Sequence, residues 1–321
     1  GFFTGLIPFL KFLAKPTAKN MLLTGIVFGI AQLLKFSLIM LIPIYGIILV
    51  CWAWAYPAET AREKLLIFGK LALKTTAIGF VGILAIWIVY IPFIWNYPQD
   101  RQLSDAASQL STNSARSLVS FDLTLIENKF TRPLGQYVLG VLMANQRAAG
   151  GNTSYFLGEV SSKGSRAYFP LLYLLKESLA LHVLTLFAAA GGLFRAAHAL
   201  QQRSAYKERV RSWIHSNFSL CGMVVVIAVY GTISIISPLN IGIRHVLPTL
   251  PFVYILVAWG SAHIKLPRIL FAAPAAWLIG SAVLTYPHYL SYYNALAGGT
   301  ERGYLIATDS NYDWGQDFYR L

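Results

Sequence analysis

Charge is what this sequence lacks most. Charged residues make up 12% of it, about half the roughly 25% of an ordinary soluble domain. That shortage excludes a disordered chain and a coiled coil, which need charged or polar composition. Collagen is excluded by the 25 glycines in 321 residues, far below one in three. Two cysteines, Cys51 and Cys221, both in apolar runs, exclude a disulfide scaffold and leave the redox compartment open. There is no P-loop, dinucleotide fingerprint, zinc-type Cys/His cluster or G-x-S-x-G elbow. His182, His198, His215 and His263 are scattered, and read as packing or interface residues. What is abundant is hydrophobicity, at 56% with a mean hydropathy of +0.55. This points to an all-α polytopic membrane protein.

The net charge of +13 is then read as topology, because basic residues mark the cytoplasmic side of spans. The basic clusters also lack the interleaved aromatics of a nucleic-acid surface, so no nucleic-acid partner is expected. Apolar stretches predict spans at about 21–34, 37–56, 66–95, 168–194, 218–236, 246–263 and 269–286, the first two as short crossings and the rest near or above the length a bilayer requires. The run from Met21 to Tyr56 is too long for one ordinary crossing, and Lys35 divides it. Four basic clusters flank the spans: Lys11 to Lys19, before the first; Arg62 to Lys74; Arg203 to Arg211; and Lys265 with Arg268. All four fall inside if two crossings turn at Lys35, which then lies at the outer face. Outside remain the segment 96–167, the turn Ser237 to Arg244 and the segment 287–321. Within 96–167, Asp100 to Leu118 and Leu134 to Arg147 have helical character, the latter ended by Gly150-Gly151. The chain starts at Gly1 rather than Met and stops just after a dense polar motif, so it is expected to be a piece of a longer protein.

Few ionisable groups fall outside or inside the spans, and these are the candidate functional residues. Lys35 lies in an apolar run, as a snorkelling lysine or a contact to a lipid phosphate. Glu159 precedes a span, and Lys176 and Glu177 lie within it. Lys176 is expected to pair with Glu159 or Glu177. Arg244 offers a planar fork suited to phosphate, and His245 a donor or proton carrier. Asp309, Asp313 and Asp317 recur every four residues, which would crowd like charges on one helical face. That spacing favours a turn network, a cation or a ligand, with Asn311 inside it. It lacks the twelve-residue pattern of a calcium loop.

Four segments carry a resemblance: Gly25–Ser37 (GIVFGIAQLLKFS), Tyr155–Lys176 (YFLGEVSSKGSRAYFPLLYLLK), Asn240–Phe252 (NIGIRHVLPTLPF) and, most specifically, Pro287–Leu321 (PHYLSYYNALAGGTERGYLIATDSNYDWGQDFYRL). The chain resembles the later portion of the membrane-embedded glycosyltransferases related to protein O-mannosyltransferases, from about Met21 to the end. The resemblance implies a transmembrane helix bundle with extracytoplasmic loops over the site. It implies transfer of a sugar from a polyprenyl-phosphate carrier to a protein hydroxyl, lipid or glycan outside the cytoplasm. The family's acidic catalytic residues belong to an earlier loop with no counterpart here. No catalytic base is therefore assigned, this piece alone is expected to be inactive, and a divalent metal in the intact protein stays open. Arg244, with His245 and Lys35, is expected to bind the lipid phosphate. Glu159 and Lys176 would support it, and Asp309, Asn311 and Asp313 would shape the acceptor side or hold the outer segment against the loops. Two other readings stay open: a transporter or flippase of lipid-linked or polar substrates, and a noncatalytic membrane assembly subunit.

Overall fold

A computed structural model describes residues 1–201, 206–264 and 267–315. Arg203, Lys265 and Asp317 lie outside the described residues, as does the side chain of His198. The chain is mostly helical. It opens with α1 (Phe2–Ala14), α2 (Ala18–Leu34), a 3-10 turn (Phe36–Met40), α3 (Leu41–Ala55) and α4 (Ala61–Ile94). Then come α5 (Gln99–Gln109), α6 (Arg116–Glu127), α7 (Arg132–Gly150) and a small antiparallel hairpin, β1 (Ser154–Phe156) with β2 (Glu159–Ser161). The remaining helices are α8 (Tyr168–Lys176), α9 (Leu179–Gln201), α10 (Tyr206–Ser216), α11 (Phe218–Ile236), α12 (Leu250–Ala262) and α13 (Ile269–Thr285).

Among the described residues, three helical stretches are long and apolar enough to cross a membrane: Phe36–Ala55, α4 and α11. A fourth is gained if α8 and α9, bent by 106° at their junction, count as one span. This is fewer than the seven expected spans, and the reasons are local. Lys35 is extended (φ −164°), so α2 stops at 17 residues. Pro248 and Pro251 open the next expected span. There the backbone runs as 3-10 turns at Ile243–His245 and Leu247–Thr249 before α12 begins. Conversely, α4 starts earlier than its apolar run. Thr60 accepts from the Glu63 N–H, and the Glu63 carboxylate accepts from the Thr60 N–H, a capping box. Large apolar side chains on α4 point outward, among them Leu73, Phe80 and Phe93. A face of that kind suits lipid rather than water.

The expected outer segment 96–167 is more ordered than its composition suggested. The helix expected over 100–118 ends at Gln109, and a separate helix, α6, starts at Arg116. With α7 these helices enclose Ala106, Leu110, Ile126, Leu139 and Leu142. Both central residues of the hairpin turn, Leu157 and Gly158, have positive φ, as a two-residue primed turn requires.

The chain divides into two compact units, the first of residues 1–149 with 210–226 and the second of 150–209 with 227–321. In the first, α2 packs on α4 through glycines. A Cβ at Gly25 would lie 2.5 Å from Val81 Cβ, and one at Gly29 2.8 Å from the Gly82 carbonyl oxygen. Beside them Phe9 stacks on Tyr45 at 3.9 Å, and the Tyr45 hydroxyl donates to Gly5 O at 2.7 Å. In the second unit, α9 packs against α12 and α13. There a buried cluster of Tyr168, Phe169, Leu172 and Ile243 joins Tyr293, Ile306 and Ala307 of the C-terminal segment.

Candidate functional site

The second unit holds most of the residues singled out from sequence. Its organising feature is the break between α8 and α9. A helix that stops in an apolar setting leaves carbonyls without partners. Asn294 supplies the donors. Its backbone N–H donates to Leu175 O at 2.9 Å, and its side-chain amide to Leu174 O at 2.7 Å and Glu177 O at 2.8 Å. His182 Nε2 also lies 3.0 Å from Leu174 O.

Lys176 performs the complementary task. Its Nζ donates to Leu290 O at 2.9 Å, Tyr292 O at 3.1 Å and Asn311 O at 2.6 Å. It also lies 4.1 Å from the centre of the Tyr293 ring. An ammonium has three N–H donors, so all three are used inside the protein. Of the two expected partners, Glu177 is its neighbour in the chain and acts on Lys176 through its charge. Glu159 is exposed on β2 and takes no part in the bonds that hold Lys176. Lys176 is a tie between α8 and the C-terminal segment.

Asn311 is equally committed. It is fully buried. Its amide donates to the Tyr168 hydroxyl at 2.7 Å and to Thr308 O at 3.3 Å, and its side-chain oxygen accepts from Ile243 N–H at 2.8 Å. Asn311 therefore builds the site's floor and presents nothing to an acceptor. Next to it, Ser310 donates to Ile241 O at 2.7 Å. Gly242 (φ +92°) allows this approach, since a Cβ there would sit 2.8 Å from Ser310 Oγ. The Tyr293 hydroxyl donates to Ala307 O at 2.9 Å, and burial pushes its pKa upward.

Above this floor stand exposed charged groups. Arg244 is exposed, its Nε donates to Ile241 O at 3.1 Å, and its guanidinium lies 4.9 Å from the centre of the Trp314 ring. That leaves the terminal nitrogens of Arg244 on the surface. Asp309 is exposed and left-handed (φ +55°), a conformation that Asp tolerates better than most residues. The 3-10 turns Ile243–His245 and Asp309–Asn311 pack on one another, which places Arg244 and Asp309 around the same floor. Asp313 is exposed and accepts from Gly315 N–H at 2.7 Å, and Trp314 Nε1 donates to Ser310 O at 3.0 Å. His245 is half-buried, 5.4 Å from the Phe169 ring, and its carbonyl accepts from the Tyr230 hydroxyl at 2.7 Å.

Lys35 belongs to the first unit, where it is exposed at the end of α2. Among the described residues no group of three or more His, Cys, Asp and Glu stands close enough to hold a metal ion. Reading the sequence missed Asn294, Tyr168 and Trp314 as members of the site. Asn294 did carry a signal, because an Asn ahead of Ala-Leu-Ala is a capping residue, and its side chain does accept from Leu296 N–H at 3.0 Å. No family model matches the chain, and no characterised protein or solved structure is significantly similar to it.

Proposed function

We propose that this chain is the later portion of a multi-pass, lipid-carrier-dependent glycosyltransferase whose working face is extracytoplasmic. The observation that carries the reading is Arg244: an exposed guanidinium held by one nitrogen, with its terminal nitrogens on the surface, on a rim with Asp309 and Trp314. In the proposed reaction an acceptor hydroxyl oxygen attacks the anomeric carbon. The bond from that carbon to the carrier phosphate breaks, and the acceptor proton passes to a carboxylate base. No residue of this chain is given the role of base. Arg244 donates to the phosphate oxygen on which charge develops, where a fixed donor is most effective. Asp309, Asp313 and the Trp314 ring line the acceptor side.

The decisive assay is sugar transfer by the complete protein with a polyprenyl-phosphate sugar. Arg244→Ala is expected to lower turnover about 100-fold, the usual effect of losing one donor to a developing anion. Arg244→Lys should recover only part of it, because a point charge replaces a planar fork. Unchanged turnover with unchanged dependence on the lipid donor would overturn the reading.

One observation favours a transporter instead, namely the broken α8–α9 pair, since transporters use freed carbonyls at such breaks to coordinate ions. Against it, the carbonyls of Leu174, Leu175 and Glu177 are already engaged by Asn294. A noncatalytic assembly subunit would have its polar groups dispersed. The gathering of Arg244, Asp309 and Asn311 around one floor speaks for a site.

A further inference from the structure

The first unit contains its own concentration of positive charge, on the first half of α4. A cavity of about 800 Å³ is lined by Leu13, Trp52, Lys70, Leu71, Lys74 and His215, among others. Among the described residues no Asp or Glu lines it. Its walls are of two kinds: aromatic and aliphatic from α1, α3 and α4, and cationic from two lysines one turn apart on α4.

The length of α4 fixes the depth of those lysines. The helix runs for 34 residues, about 51 Å at 1.5 Å per residue, against a hydrocarbon core of about 30 Å. From Thr75 to Ile94 it carries no charge, and that stretch alone covers about 30 Å. With this stretch in the hydrocarbon, Lys74 stands at the boundary and Lys70 one turn beyond it, at the level of lipid phosphates.

The two lysines are not equivalent. Lys74 Nζ donates to Pro16 O at 2.7 Å, tying α4 to the α1–α2 turn. Lys70 has no hydrogen-bond partner among the described residues and is exposed. Trp52 is 7% exposed, and its Nε1 has no acceptor among the described residues. The nearest acidic side chain on the start of α4, Glu63, is committed to its capping box.

We infer that this cavity binds the phosphate headgroup of an anionic glycerophospholipid. The phosphate lies against Lys70 and Lys74, and an acyl chain runs along Leu71 and Leu13. Paired cations beside apolar walls at phosphate depth are the recognition elements such a lipid needs. This site shares no residue with the proposed sugar-transfer site, and its test reads no sugar transfer.

The test uses the full chain in detergent, titrated with phosphatidylglycerol or phosphatidylcholine, with bound lipid counted by native mass spectrometry. Phosphatidylglycerol is expected to bind at least tenfold more tightly. Lys70→Gln should weaken it about fivefold, as loss of one surface cation near a lipid phosphate implies. Lys129→Gln, the same charge change at an exposed residue outside the cavity, should leave it unchanged. Equal binding of the two lipids would overturn the inference. So would equal effects of the two substitutions, or displacement of the lipid by inorganic phosphate at matched concentration, which would mark a site for free anions. A melting curve of Lys70→Gln like that of the parent chain shows that any loss is not unfolding.

Discussion

The α2–α4 contact of the first unit and the seam under the α8–α9 break of the second solve opposite problems. Among the described residues no side-chain hydrogen bond joins α2 to α4. Two apolar helices in lipid gain little from hiding from each other, so they must gain from close approach. Gly25, Gly29 and Gly82 provide it, since a Cβ at any of the three would come within 2.8 Å of the facing helix. At the seam the backbone is irregular and its carbonyls need donors. Lys176, Asn294 and Asn311 supply them, all three at 8% exposure or less. In the first region, adding an atom does the damage. In the second, removing one does.

The largest expected effect follows from the second half of that contrast. Lys176→Met keeps the length of the side chain and removes the ammonium, leaving the carbonyls of Leu290, Tyr292 and Asn311 without their donor. Each buried unsatisfied group costs about 1–3 kcal/mol, so a loss of about 3 kcal/mol or more is expected in thermal unfolding in detergent. Limited proteolysis should then cut the segment around residues 290–311 first. A melting point within a degree of the parent protein would show that Lys176 is not the tie described.

A smaller effect, and a change of sign, tests the first half. Gly29→Ala places a methyl against the Gly82 carbonyl, which is backbone and does not yield cheaply. Overpacking of this kind costs about 1–3 kcal/mol. Gly46→Ala lies in α3 with nothing within 4 Å of the added Cβ. It should stabilise by about 0.5–1 kcal/mol through helix propensity. If both substitutions moved the melting point in the same direction, close approach would not be what glycine provides at position 29.

Much of this was legible in the sequence for a physical reason. Apolar runs of span length announce themselves, and Lys35 and the Asn240–Pro248 stretch marked real interruptions. The capping box at Thr60 was legible too but went unread, which is why α4 begins five residues before its apolar run was placed. The break at Glu177-Ser178 was not legible. Neither Gly nor Pro stands there, and the bend is sustained by Asn294, more than a hundred residues away in the chain. For the same reason the carbonyls that Lys176 holds, and the choice between an acceptor-side and a structural role for Asn311, could not be read from the chain. A charged or amide side chain in an apolar segment signals that a partner exists. It does not say whether that partner is a ligand, an opposite charge or a carbonyl of the chain itself.

The smallest expected effect concerns a polar group buried in the first unit without partners of the kind that Lys176, Asn294 and Asn311 have at the seam. Asp122 on α6 is fully buried, and neither carboxylate oxygen has a hydrogen-bond partner among the described residues. Burial pushes its pKa up to about 7. In the unfolded chain the group ionises near its ordinary value of about 3.9. Between those two values the folded protein holds the proton and the unfolded chain does not. Stability must therefore fall as pH rises from about 4 to 7, and level off above 7 once both states are ionised. Discounted for solvent screening, the change is about 1 kcal/mol. Asp122→Leu should remove this slope and raise the melting point at pH 8 more than at pH 5, measured on the purified chain in detergent. An equal shift at both pH values would mean that the variant acts through packing alone, and that the Asp122 carboxyl is solvated in the folded protein.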